Sequence, residues 1–101
     1  MLETDSIVIA GVARTPIGGF MGALSAVPAP ELGAAAIRAA VRRAGVPGDE
    51  IDEVIFGNCL MAGVGQAPAR QAALAAGLPQ GCGATTLTKM CGSGMKATML
   101  G

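Results

Sequence analysis

The sequence predicts an α/β fold, a parallel β-α-β-α-β-α unit, and three observations carry that prediction. Three short runs rich in β-branched residues, Ser6 to Ala13, Val54 to Cys59 and Thr85 to Met90, alternate with Ala-rich stretches of helical length. The first two helical stretches each close on a glycine followed two residues later by a proline, Gly45 with Pro47 and Gly77 with Pro79, the punctuation that ends a helix and forbids its continuation. Strands alternating with helices at this spacing join through right-handed crossovers into a parallel sheet.

Taken in order, Ser6 to Ala13 shows too little polar alternation for a half-exposed strand and reads as a central strand buried on both faces. Arg14-Thr15-Pro16 breaks it, and Gly18, Gly19 and Gly22 punctuate a long loop around Phe20 and Met21. Pro30-Glu31 opens the first helix, with Pro in the first turn, Glu31 at the positive end of the dipole, and Arg38, Arg42 and Arg43 gathered towards the negative end. Leu32, Ala35, Ala36, Ala39 and Ala40 give it a narrow stripe of small residues, suited to close docking. Asp49 to Glu53 reads as an acidic turn and Val54 to Cys59 as a second buried strand. A glycine-bearing loop, Met61 to Gly65, leads into a second helix near Gln66 to Ala76, and Gly92 to Gly101 begins a third. The run stops inside that helix, on Met99 and Leu100, which reads as truncation of a longer domain occupying residues 1–101.

Composition narrows the function classes. The chain has 101 residues, 51% of them apolar with Ala the commonest at 20, and it has two Phe and no Trp or Tyr. Length of this order allows one domain, and small side chains bury little area each, so the expected core is thin. Seven basic and seven acidic residues cancel, leaving no electrostatic footprint for nucleic acid or an acidic membrane. Met1 to Asp5 is acidic rather than basic, the wrong order for a secretory or transit signal, and no run approaches membrane-spanning length. The expected location is cytoplasmic.

Cys59, Cys82 and Cys91 are an odd number without C-x-x-C spacing, and the chain contains no His. Neither a disulfide framework nor a metal site is expected. Cys91 stands where the third strand passes into the third helix, in Lys89-Met90-Cys91-Gly92-Ser93-Gly94-Met95-Lys96. Ligand sites of parallel sheets form at the carboxyl ends of the strands. A thiol there faces the unpaired N–H groups and positive dipole end of a helix, both of which favour its anion. Gly92 and Gly94 permit a sharp turn and close approach of a substrate carbonyl, the logic of a nucleophile elbow with sulfur in place of a hydroxyl. From spacing alone a second reading stands beside this one, that Cys91 is a small buried hydrophobe and the glycines only shape a turn.

The segment Lys89 to Ala97 resembles the active-site cysteine segment of the thiolase family. Two further stretches resemble that family in the same order. Val12 to Gly18 is similar to its first strand and loop, and Gly57 to Leu60 with Gly65 to Ala72 is similar to its second strand, loop and helix. The resemblance covers essentially the whole chain and implies the first part of a thiolase-fold amino-terminal domain. It implies ping-pong acyl transfer between coenzyme A thioesters, with Cys91 taking the acyl group and a second acyl-CoA enolate attacking it to give a 3-ketoacyl-CoA, or the reverse thiolysis. The two-carbon, acetyl-transferring type is expected ahead of a long-chain 3-ketoacyl-CoA thiolase, and a homo-oligomer in the full-length enzyme. The family's base, a His, and its second acid/base, a further Cys, come from segments beyond the equivalent of Gly101, so this chain is expected to hold the nucleophile only. No cofactor is implied beyond the thioester substrates. Alternatives of another class are a non-catalytic fragment or sheet-completing partner, and a redox-sensing thiol protein.

The other candidates have plainer readings. Cys59 reads as a packed core thiol and Cys82 as a loop thiol without a role. Arg14 and Arg70 could clamp phosphate or carboxylate but read as surface or interface pairing groups. Lys96, one turn into the third helix, could bring positive charge towards Cys91, and Lys89 reads as solvated.

Overall fold

The computed structural model describes residues 6–101; the acidic run Met1 to Asp5 lies outside the described residues. The elements are helix α1 (Ala29–Ala44), a single 3₁₀ turn (Gly48–Glu50), strand β1 (Glu53–Gly57), helix α2 (Pro68–Ala75), strand β2 (Gly83–Leu87) and helix α3 (Ser93–Leu100). The two strands are parallel, in register from Glu53 opposite Gly83 to Gly57 opposite Leu87, with α2 in the crossover between them. The α/β class and the parallel pairing are as the sequence predicts.

The first predicted strand is not in the sheet. Residues 6–13 form no ladder, and Ile7 is 91% and Val8 73% exposed. An apolar run becomes a central strand only when neighbours cover both its edges and both its faces, and the described residues supply neither. The segment is instead tied to α1. Arg43 donates from Nη1 to the Val12 carbonyl at 2.8 Å, and Gly11 approaches α1 so closely that an added Cβ would lie 2.5 Å from the Ala40 carbonyl oxygen. A cavity of about 830 Å³ is bordered by Val8, by β1 and by Gly94, Ala97 and Thr98 of α3.

Helix punctuation is as read. Pro30 lies in the first turn of α1, Arg42 and Arg43 in its last, and Gly45 closes it at φ 69° with its N–H on the Arg42 carbonyl. At the end of α2, Gly77 (φ 86°) donates to Leu74 and Leu78 to Ala73. This paired closure is completed by packing of the apolar residue beyond the glycine. Leu78 does so, buried with Val54, Ala69, Ala73 and Cys82. The helices dock on small residues. Gly33 of α1 meets Phe56 and Ala72, where an added Cβ would lie 2.8 Å and 3.1 Å from them.

Three local expectations are corrected. Helix α2 starts at Pro68 rather than Gln66, because Ala67 takes a left-handed conformation (φ 47°) and turns the chain there. Its first turn has no cap from its own loop; Thr86 of β2 accepts from the Ala69 N–H at 2.9 Å instead. Cys82 lies in the turn before β2, as read, but its thiol is not at the surface: it is 3% exposed in the core. Cys59, predicted inside the strand, lies past its end and is half-buried.

Candidate active site

The carboxyl ends of β1 and β2 bring the cysteine segment together. Strand β2 ends at Leu87, earlier than the sequence suggests, and residues 88–92 form a tight turn into α3. Pairing continues one residue beyond β1, with the Asn58 N–H on the Leu87 carbonyl at 2.9 Å, so the loops after the two strands leave side by side.

Within the turn Met90 has φ 49°, a left-handed conformation that costs an L-residue with a Cβ roughly 1–2 kcal/mol. Strain of this kind persists only where the surroundings over-determine it. Here Ser93 does so from the first position of α3. Its hydroxyl donates to the Met90 carbonyl at 2.6 Å and accepts from the Lys89 N–H at 2.8 Å, and its side chain is 4% exposed. The Gly92 N–H on Lys89 and the Ser93 N–H on Met90 close the same turn through the backbone. Beneath it, β1 packs without a side chain between. A Cβ on Gly57 would overlap the Ser93 carbonyl group and the Gly94 nitrogen. The sequence reading placed Gly57 in a family-like stretch without a role; its position opposite a strand-to-helix turn was the available signal. Ser93 carries no assignment from the sequence, where it is only the second residue of the expected third helix; its bonds back to residues 89 and 90 depend on the turn that precedes it.

Cys91 is exposed at the head of this construction, one residue before the Gly92 cap of α3. The buried-hydrophobe reading of Cys91 is thereby overturned. The first-turn amides of α3 begin immediately behind the thiol, the donors that a helix start leaves without intrahelical partners. A cavity of about 240 Å³ is lined by Lys89, Gly92, Met95, Lys96 and Met99, the sequence neighbours of Cys91 but not Cys91 itself. Lys96 is half-buried there and Lys89 exposed. An exposed thiol on a fixed turn can attack an electrophilic carbonyl, whereas no Cys or His is among the residues lining that cavity.

The remaining candidates are placed elsewhere. Cys59 donates its thiol to the Met90 sulfur at 3.8 Å. Arg70 is committed to structure, with Nη1 on the Cys82 carbonyl at 2.8 Å and Nη2 on the Gln80 carbonyl at 2.9 Å. Among the described residues, Arg14 donates to the neighbouring Thr15 carbonyl at 3.1 Å. Gln71 pins the loop before α2 through the Val64 and Gln66 carbonyls. Among the described residues no three of His, Cys, Asp and Glu gather to hold a metal ion, and no helix is long and apolar enough to cross a membrane.

Comparison with known proteins places this geometry. Residues 7–101 match the family model described as thiolase, N-terminal domain. The chain is 59% identical over 96 residues to the mitochondrial acetyl-CoA acetyltransferase of Xenopus tropicalis, covering 95% of this chain and 23% of that protein. It is 54% identical over 101 residues to a cytosolic acetyl-CoA acetyltransferase of Gibberella zeae, covering 100% and 26%. Among solved structures, a thiolase of Ascaris suum in complex with coenzyme A superposes with a TM-score of 0.89 at 38% identity, covering 91% of this chain and 24% of that one. An acetyl-CoA acetyltransferase of Syntrophomonas wolfei does so with a TM-score of 0.86 at 44% identity, covering 92% and 24%. The chain thus spans about a quarter of the length of the relatives it matches, and with the family model spanning all but its first six residues it belongs to the thiolase family.

Proposed function

We propose that Cys91 is the acyl-accepting nucleophile of a thiolase-type acyltransferase working on coenzyme A thioesters, acetyl-CoA first among them. The observation that carries this reading is the exposed thiol held on a strained strand-to-helix turn, with Met90 at φ 49° and the Ser93 hydroxyl bridging both sides. The Cys91 sulfur attacks the thioester carbonyl, a new C–S bond forms, and the coenzyme A thiolate leaves. The enolate of a second acyl-CoA then attacks the acyl-cysteine, releasing a 3-ketoacyl-CoA and restoring the thiolate; thiolysis is the reverse. The backbone N–H of Cys91, at the approach to α3, is suited to one oxyanion contact. No cofactor beyond the thioesters takes part.

Two proton transfers remain to be supplied, one from the thiol and one from the substrate α-carbon. The chain contains no His, and Cys59 and Cys82 are not placed for either task. The remainder of a thiolase must therefore provide them, and the isolated chain is inactive. The full protein is a cytoplasmic homo-oligomer in this reading.

The test is to incubate the purified chain with acetyl-CoA, alone and with a thiolase carboxy-terminal fragment, and to map acetyl groups by mass spectrometry. Acetyl on the tryptic peptide Met90 to Lys96 in the mixture is the expected result. Multiple turnovers by the chain alone would contradict the need for outside groups, and acetylation confined to other residues would remove Cys91 from the role.

A further inference from the structure

We infer that the cleft between helix α1 and the loop before it binds a linear amphiphile with an ammonium group at one end and a carboxylate at the other. A cavity of about 440 Å³ opens there, walled by Leu24 and Val27 of the loop and by Leu32 and Ala35 of α1, with Glu31 and Arg38 also on its lining. Small-molecule sites have volumes of this order and are mostly apolar, with a few placed polar groups that fix orientation.

The walls are set by the fold. Successive turns shape the loop, with the Gly22 N–H on the Gly19 carbonyl, Ser25 on Gly22 and Val27 on Leu24. Gly18, at φ 74°, lies so near that an added Cβ would be 3.6 Å from the Leu24 side chain. Ala34, in the floor of the cavity, is 2% exposed.

The two charges select the ligand. Glu31 and Arg38 stand seven residues apart on α1, which puts them on one face and about 10.5 Å apart along the axis. Both are exposed. Arg38 is held at the end of α2, where its Nη1 donates to the Ala75 carbonyl at 3.0 Å. A guanidinium has five N–H donors, so others remain for a carboxylate. An ammonium group at Glu31, a carboxylate at Arg38 and methylenes lying on the apolar wall between them give every part of the ligand its complement. The methylenes gain by leaving water, and the charged ends fix direction and length. A chain with one charged end leaves the opposite rim unmatched. No residue of β2 or α3 lines the cleft, and the inference stands whether or not Cys91 accepts acyl groups.

The test is titration of the isotopically labelled 101-residue chain with ω-aminooctanoate, whose extended length suits the spacing, and with octanoate, octylamine and ω-aminobutyrate, followed through amide chemical shifts. Saturable shifts at residues 24–38 and at Ala75 are expected. ω-Aminooctanoate should bind about fivefold tighter than either singly charged chain, the upper range for an exposed ion pair, and the shorter ω-aminobutyrate more weakly than all three. In Glu31→Gln the advantage over octanoate is lost while octanoate itself binds as before, which separates loss of the charge from loss of the fold. In Arg38→Gln the advantage over octylamine is lost; the Glu31 result stands if that variant loosens α2. Equal affinity for ω-aminooctanoate and octanoate, an advantage that survives Glu31→Gln, or shifts that do not saturate at these residues would overturn the inference.

Discussion

The turn at residues 88–93 and the extended segment at residues 6–13 are both sequence-marked as important, yet the fold treats them in opposite ways. The turn is held by two hydrogen bonds of one buried hydroxyl, two backbone bonds and a strand packed beneath it without a side chain between. The segment holds four of the chain's 13 Ile and Val residues but leaves them facing solvent, with Arg43 bonded to the Val12 carbonyl and Gly11 close against α1. The turn's geometry is satisfied by residues within a few positions of it and by one neighbouring strand. The segment's apolar pattern asks for partners on both edges, which only a larger assembly of strands could provide.

The strongest way to break this contrast is at Gly57. Gly57→Ala puts a Cβ into the Ser93 carbonyl, where backbone must shift, and we expect a loss of about 3 kcal/mol, in the upper range for overpacking, read from the midpoint of urea unfolding. A loss under about 0.5 kcal/mol, the level of an ordinary surface substitution, would mean that β1 does not support the turn. Next is Ser93→Ala, which takes away the acceptor of the Lys89 N–H at a part-buried position and should cost about 1 kcal/mol. It should also raise hydrogen exchange at residues 89–93 ahead of the rest of the chain.

Gly11→Ala tests the other side. Its Cβ would press on the α1 backbone, but the segment can lift away, so the expected cost is smaller, about 1 kcal/mol. Met90→Gly should stabilise by about 0.5–1 kcal/mol, because glycine adopts a positive φ without the Cβ penalty, seen as a higher melting temperature. The smallest effect belongs to Ile9→Thr, within about 0.5 kcal/mol as for exposed positions generally. A large loss there, measured by the same unfolding midpoint, would show the segment packed as a strand after all.

What was legible in the sequence follows the same division. Helices α1 and α2 were read almost to their ends because Pro30, Gly45, Gly77 and the terminal arginines act locally. The placement of Cys91 at a strand-to-helix turn was legible because strand, glycine and helix signals meet within a few residues. The segment 6–13 misled because apolar β-branched residues state a preference for burial but not whether partners are present. Cys59 was expected in the core and is found past the strand end beside the turn, whereas Cys82 lies in the loop where it was expected but is packed into the core. A cysteine's own neighbours do not say which strand end is covered by α2. Arg70 was ambiguous for a related reason, since its two carbonyl partners lie 10 and 12 residues away and are brought together only by the closure of the loop onto β2.

The Thr86 hydroxyl that accepts from Ala69 lies 17 residues downstream of the amide it serves. During synthesis, at roughly 5–20 residues per second, the first turn of α2 is therefore complete before its acceptor has been made. For roughly one to three seconds at that rate the acceptor does not yet exist, and the Ala69 N–H is without it until β2 is made and docks beside β1. A nascent chain arrested shortly after Ala76 should accordingly lack an ordered α2 start, and one extended past Leu87 should gain it in a single step with the parallel pairing.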